Sequence, residues 1–328
     1  MKNLQQLNDI DQSIYDCLNP ASPKSFFLFA GAGSGKTRSL VNVLTKIKYE
    51  VGRQLKMSRQ RIAVITYTNA ACDEIIHRLD QDSLFFVSTI HSFVWELIKP
   101  YQSDIRDWLK KDILDNIAET EREQAKGRAN TKASIDRANK LVSMNKRLEA
   151  LPSIRTFTYS PNGDNRTRES LNHTEVIYIA ADFLVSKPLM QKILVKKFPV
   201  LLIDESQDTK KELIDAFFHV QGKNQNRFSL GLFGDTMQRI YSDGKQGLGD
   251  NLPDDWVKPA KTVNYRCPKR VVTLINKIRM NADQKQQTSV DAKEEGFVRL
   301  YIVKDTDKPK GEIENEIAAK MTQVTGDQ

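Results

Sequence analysis

Residues 26 to 37 read FFLFAGAGSGKT, an apolar run of strand length followed by a glycine-rich turn that ends in Gly35, Lys36 and Thr37. Glycines let backbone N–H groups converge on phosphate oxygens, and a helix starting at Arg38 would aim the positive end of its dipole at the same anion. Lys36 would neutralise β- and γ-phosphates and the Thr37 hydroxyl would ligate Mg²⁺. Gly31, Ala32, Gly33, Ser34, Gly35, Lys36 and Thr37 are thus read as a nucleotide-phosphate cradle. Ala30 stands where such loops carry glycine, but that position needs only a compact residue. A second apolar run, PVLLI (199 to 203), leads into Asp204, Glu205, Ser206, Gln207 and Asp208. Phosphoryl hydrolysis needs what two adjacent carboxylates there supply: Asp204 for the Mg²⁺ shell, and Glu205 as general base for a water in line with the γ-phosphate. An acidic pair alone at a strand end is a solvated turn; beside a phosphate loop on another strand it is chemistry.

Both motifs need strands to carry them. Apolar runs at 26 to 30, 62 to 68, 84 to 90, 199 to 204 and 229 to 235 read as buried strands, and the helical patterns KTRSLVNVLTKI, NAACDEIIHRL and KKELIDAFFHV follow three of them. Strands alternating with helices imply a parallel α/β sheet. Asp208 or Thr209 is expected to cap the helix after the carboxylates, with Glu212 completing a capping box, and Asn172 with Glu175 has the same spacing. GDTMQRIY (234 to 241) reads as a strand end, a turn and a short helix. KTVNYR (261 to 266) and VRLYIVK (298 to 304) read as strands flanking the helix CPKRVVTLINKIR, the start of a second α/β unit followed by a polar helical tail. Residues 102 to 151 are charged and helix-favouring, then loop-like to 170, as an inserted domain would be. The expected division is 1–101 and 173–258 as two parts of one ATP-binding domain, 102–172 as a basic helical insert that binds DNA, and 259–328 as an incomplete second domain.

Taken in order, AGAGSGKTR, VITYTNAACDEI, STIHSF, LLIDESQD, GLFGDTMQRIY and TVNYRCP resemble the successive motifs of UvrD/Rep-like superfamily 1 DNA helicases. The resemblance implies a P-loop NTPase with a RecA-like parallel sheet, using ATP and Mg²⁺ to move on single-stranded DNA. It implies that Gln12 reads the adenine edge, although its spacing from Leu7 and Asn8 is one residue off and Gln5 or Gln6 could substitute. Arg38 would help hold the nucleotide, Tyr265 would stack on adenine, Gln238 would contact the γ-phosphate, and Arg266 would act as an arginine finger. For DNA it implies Tyr67, Thr68 and Asn69, then Thr89, His91 and Ser92, at strand ends facing away from the phosphate loop, together with Tyr241. An aromatic face stacks on any base and short polar groups hold phosphates. Read from the residues alone, the lesser alternatives are a core aromatic for Tyr67 and a helix cap or a satisfied core histidine for His91.

The chain departs from the family after GDTMQRIY, where a tryptophan is usual and Trp256 comes much later, and after Arg266, where the last two motifs and the large insert of the second domain have no counterpart. The expectation is weak ATP hydrolysis and no unwinding by these 328 residues alone. A second reading, from resemblance to the helicase-like subunit of Gabija-type anti-phage systems, is an ATP- and DNA-sensing subunit that gates a partner nuclease. TYTNAA, TIHSF and DESQD resemble the DNA branch of the superfamily more than the RNA branch.

Composition bounds these readings. Fifty Lys and Arg against 42 Asp and Glu give a net charge of +8, compatible with a polyanion partner. Residues 121 to 170 hold eleven of the cations against six anions, a local +5. Lys126, Arg128, Lys132, Arg137 and Lys140 there read as a DNA-facing stripe or as a solvated helix face. Three cysteines without CxxC spacing and four histidines exclude a disulfide scaffold and argue against a structural metal. No run approaches the roughly 18 apolar residues of a membrane span, and the N-terminus lacks a signal-peptide core, so a cytoplasmic protein without a membrane partner is expected.

Overall fold

The computed structural model describes residues 7–128, 130–161, 163, 165, 167–238, 244–245, 247–249, 251–302 and 309–325. The chain divides into two compact units, Met1–Thr262 and Val263–Gln328.

In the first unit the elements run α1 (Asp9–Cys17), β1 (Phe26–Ala30), α2 (Lys36–Glu50), α3 (Gly52–Met57), β2 (Ile62–Thr66), α4 (Asn69–Arg78), β3 (Phe85–Thr89) and α5 (Ile90–Ile98). There follow α6 (Gln102–Lys126), α7 (Lys132–Ala150), α8 (His173–Ser186), α9 (Pro188–Lys197), β4 (Val200–Ile203), α10 (Lys211–Lys223), β5 (Ser229–Gly234) and β6 (Ala260–Lys261). Among the described residues the strands form one six-stranded parallel sheet in the order β3-β2-β4-β5-β1-β6. The apolar runs have no polar face because both faces are covered. Successive side chains point to opposite sides, so Phe26, Leu28, Val64 and Leu202 pack with α1, α2 and α4. Phe27, Ile65, Leu201 and Ile203 pack with α5, α8 and α10 on the other side.

The sheet therefore has the expected α/β form, and its edges differ from the sequence reading at definable points. β2 ends at Thr66, two residues early, because the Thr66 hydroxyl turns to the Thr68 carbonyl and Thr68 caps α4. β3 likewise ends at Thr89, which caps α5. The expected box from Thr209 to Glu212 does not form: Ser206–Asp208 makes a one-turn 3₁₀ helix, α10 starts at Lys211, and its N-cap is Lys210 without a side-chain cap. The box at Asn172 and Glu175 does form. KTVNYR is split, since Ala260–Lys261 pairs with β1 of the first unit.

The insert is a helical hairpin. Ile105, Leu109, Ile113 and Ile117 recur every fourth residue and give α6 one buried stripe. Thr131 caps α7, and Arg147 near its end holds Glu175 of α8 through both carboxylate oxygens. The second unit holds β7 (Val263–Asn264) parallel to β8 (Thr288–Ser289), with α11 (Lys269–Met280) between them and α12 (Lys310–Thr325) after. Residues 298–302 are not a strand: a strand needs a ladder partner, and none lies beside them among the described residues.

Candidate functional site

The site is built on the ends of parallel strands. After β1 the loop runs through Gly33 and Gly35 at φ 75° and 80°, left-handed conformations that favour glycine. Gly35 is the N-cap of α2, so this helix begins at Lys36 rather than at Arg38 as expected. Its first N–H groups have no intrahelical partner and open toward the loop. Ser34 is 0% exposed and its Oγ has no hydrogen-bond partner among the described residues, a buried polar atom of the kind that an anionic ligand satisfies. Thr37 is half-buried and Arg38 exposed.

Across β5 from β1, β4 delivers the carboxylates. Lys36 Nζ donates to Glu205 Oε2 at 2.9 Å. Glu205 has φ 51°, an uncommon conformation for a residue with a side chain, which marks a held turn. Asp204 is buried, its Oδ1 accepts the Glu205 backbone N–H at 3.0 Å, and its carboxyl is pushed up to about 6 by burial and then by Glu205, with Lys36 opposing. Gln207 is buried as well and bonds Glu205, a contact that the sequence left without a role. Its signal is an amide inside an otherwise acidic turn. β5 ends at Gly234, Asp235 comes next, and the one-turn helix Thr236–Gln238 follows, with Gln238 half-buried. Tyr241 lies outside the described residues.

Tyr67, Thr68, Asn69, Thr89, His91 and Ser92 do not face away from this site. Every strand is parallel, so β2 and β3 present their ends on the edge that holds the loop, three and four strands along from β1. Tyr67 is 40% exposed, which removes the core-aromatic alternative. Thr68 Oγ1 accepts the Ala71 N–H, and Thr89 Oγ1 accepts that of Ser92, so both threonines are helix caps. Asn69 is exposed on the first turn of α4. His91 is half-buried with its ring edge-on to His173, 5.0 Å between centroids. Burial, then His173 and Lys210, push it down to about 4, so it is uncharged at neutral pH. A cavity of about 150 Å³ is lined by Ile65, Tyr67, His91, Ile177, Asp204 and Lys210. Residues at the ends of β2, β3 and β4 thus line one space.

Residues 16–242 match the family model of the UvrD/REP helicase N-terminal domain. The chain belongs to this helicase family. It is 26% identical over 337 residues to the Gabija protein GajB of Bacillus cereus strain HuB5-5, covering 83% of this chain and 49% of that one. It is 30% identical to GajB of strain VD045, covering 73% and 43%. To the ATP-dependent DNA helicase Rep of Buchnera aphidicola from Schizaphis graminum it is 26% identical, covering 73% and 37%. The chain spans half or less of the length of each of these relatives.

In this helicase domain Gln12 is already engaged: its Nε2 donates to Asp16 Oδ1 at 2.7 Å and its Oε1 accepts from Lys46 at 2.9 Å. Its neighbour Asp11 is the buried one, taking Asn42 Nδ2 at 3.2 Å with Lys261 3.7 Å away. Gln5 and Gln6 lie outside the described residues. Trp256 is buried against Phe218, an edge contact at 5.1 Å, so it is a core residue and no platform for a base. In the second unit Tyr265 is 56% exposed and Arg266 is exposed. Their turn is set by buried Asn264, whose Oδ1 accepts the N–H groups of Arg266 and Cys267 at 2.9 Å each and whose Nδ2 donates to Gln287 at 3.0 Å. Among the described residues no helix is long and apolar enough to cross a membrane.

Proposed function

We propose that this helicase domain is the ATP-hydrolysing part of a translocase or helicase of UvrD/Rep type acting on single-stranded DNA. The observation that carries the reading is the 2.9 Å contact of Lys36 with Glu205. It brings a phosphate-loop lysine and a strand-end carboxylate from two non-adjacent strands to one point, where a γ-phosphate would sit between them. Lys36, Ser34 and the first N–H groups of α2 would hold the β- and γ-phosphates and draw charge from the transferring group. Glu205 would take a proton from the attacking water as its oxygen bonds to the γ-phosphorus, the electron pair of the breaking bond leaving on ADP.

The Thr37 hydroxyl and the Asp204 carboxylate are hard oxygen donors suited to Mg²⁺, which when bound supplies charge neutralisation on the phosphates. Gln238 would sense the γ-phosphate, Arg38 would steady the nucleotide, and Tyr265 and Arg266 would contribute adenine stacking and an arginine finger. Gln12 is part of the proposal only if nucleotide draws it from Lys46. Tyr67, Asn69, His91 and Ser92 would receive single-stranded DNA beside the shared cavity, with residues 102–172 as a further DNA-binding part. Free Cys17, Cys72 and Cys267 suit a cytoplasmic setting.

The test is ATP turnover with and without single-stranded DNA. The expected outcome is DNA-stimulated hydrolysis that falls by about a hundredfold or more in Glu205→Gln and Lys36→Ala. Equal rates in wild type and both variants would remove the reading. The likeness to two GajB proteins favours a second one, in which ATP and DNA occupancy of this domain gates a partner nuclease in phage defence. Hydrolysis that responds to a co-purifying nuclease more than to DNA would select it.

A further inference from the structure

We propose that Gln207 is a positioning residue for the general base and couples it to the strand end that carries Gln238; this rests on the hydrolase reading of Lys36 and Glu205. Gln207 is 2% exposed, and each end of its amide is used. Its Nε2 donates to Glu205 Oε2 at 2.7 Å and to Asp208 Oδ2 at 3.2 Å, while its Oε1 accepts the Asp235 backbone N–H at 3.3 Å. Asp235 in turn organises the next turn: its Oδ1 accepts the Met237 N–H at 3.1 Å and its carbonyl accepts the Gln238 N–H at 2.9 Å. A continuous path therefore runs from the Glu205 carboxylate through one side chain to the backbone of Gln238.

Only an amide fits this place. Two carboxylates on one side need donors and a backbone N–H on the other needs an acceptor, which a glutamine supplies and a glutamate does not. The fold makes room for it at Gly234, where an added Cβ would lie 2.9 Å from both Gln207 Oε1 and Ser206 Oγ. Glu205 holds an uncommon backbone conformation, φ 51°, and its carboxylate has two side-chain partners among the described residues. Those partners are Lys36 and Gln207. When Lys36 turns to phosphate oxygens, Gln207 is the partner that stays, keeping the carboxylate oriented to accept the water proton as the bond to the γ-phosphorus forms and the bond to ADP breaks.

The experiment is steady-state ATP hydrolysis of Gln207→Ala, Gln207→Glu and Gly234→Ala beside wild type and Glu205→Gln, with binding of a fluorescent ATP analogue confirming an intact fold. Gln207→Ala is expected to lower kcat about tenfold or more while KM for ATP stays within about twofold, the pattern of a group that serves the transition state. Gln207→Glu, which offers the two carboxylates no N–H donor, is expected to lower kcat at least as much as Gln207→Ala, again with little change in KM. Gly234→Ala, which displaces the amide without removing it, should reproduce the kcat loss. A kcat within about twofold of wild type in Gln207→Ala or in Gln207→Glu would overturn the assignment even while Glu205→Gln is inactive. Wild type no faster than Glu205→Gln would instead overturn the hydrolase reading, and this proposal with it.

Discussion

Two side chains of opposite charge, Lys36 and Glu205, meet 2.9 Å apart in a site with no other cation bonded to that carboxylate among the described residues. The lysine and the carboxylate offset each other's charge and fix each other's direction, which on the proposed reading prepares both for an incoming phosphate. His91 shows the opposite strategy, a polar group kept uncharged. The ordinary value of 6.5 falls to about 4 by burial, then by His173 and Lys210. An unfolded chain takes a proton at His91 near pH 6.5, while the folded one resists until about 4. Its contribution is therefore intact above that window and is lost as pH falls through it. Wild-type Tm is expected to drop between pH 6.5 and 4, and His91→Gln to drop less over the same range. Parallel curves for the two proteins would show that another group titrates.

β5 is the strand that fixes the distance between the phosphate loop and the carboxylates, because it lies between β1 and β4. Gly231 sits at its middle, opposite Phe26 and Leu202 in the ladders. A Cβ there would meet Phe26 ring carbons at 2.5 Å and Leu202 Cδ2 at 2.6 Å. Gly231→Ala is thus an overpacking change in a closed core and should cost about 1–3 kcal/mol in urea unfolding. An unfolding free energy equal to wild type would mean that the strands part to admit the methyl group. Helix caps act at the same scale. Thr68 and Thr89 start α4 and α5, so their hydroxyls are committed to backbone N–H groups before any phosphate comes near. Tyr67 is left projecting because Thr66 and Thr68 have turned the chain out of β2.

Over the whole molecule, the basic surplus is concentrated in the insert. Lys126, Arg128, Lys132 and Lys140 are exposed on the α6–α7 hairpin. Arg137 is not in the same state, since it packs over Gly127 and donates to Gln124 at 2.9 Å. If the four exposed cations meet DNA phosphates, changing all four to glutamine should make the log–log salt dependence of single-strand binding shallower by about 3, near 0.7 per contact. An unchanged slope would leave a solvated face.

The sequence by itself determined the sheet, the glycine-rich loop between a strand and a helix, and the acidic strand end. Their signals are local: a run buried on both faces, glycines at left-handed positions, and carboxylates directly after a strand. The motif order also carried the family, now matched over residues 16–242. Tertiary structure alone decided the rest. That Gln12 bonds Lys46 while Asp11 turns inward depends on how α1 lies on α2. Trp256 is core because Phe218 of α10 meets it. The ends of β2 and β3 share the edge of the phosphate loop because every strand runs one way. Gln207 could be given work only once Glu205 on one side and Asp235 on the other were in place, 2 and 28 residues away along the chain. Spacing along a chain reports periodicity and caps; a hydrogen bond between strand ends exists only after the sheet has set which strands are neighbours.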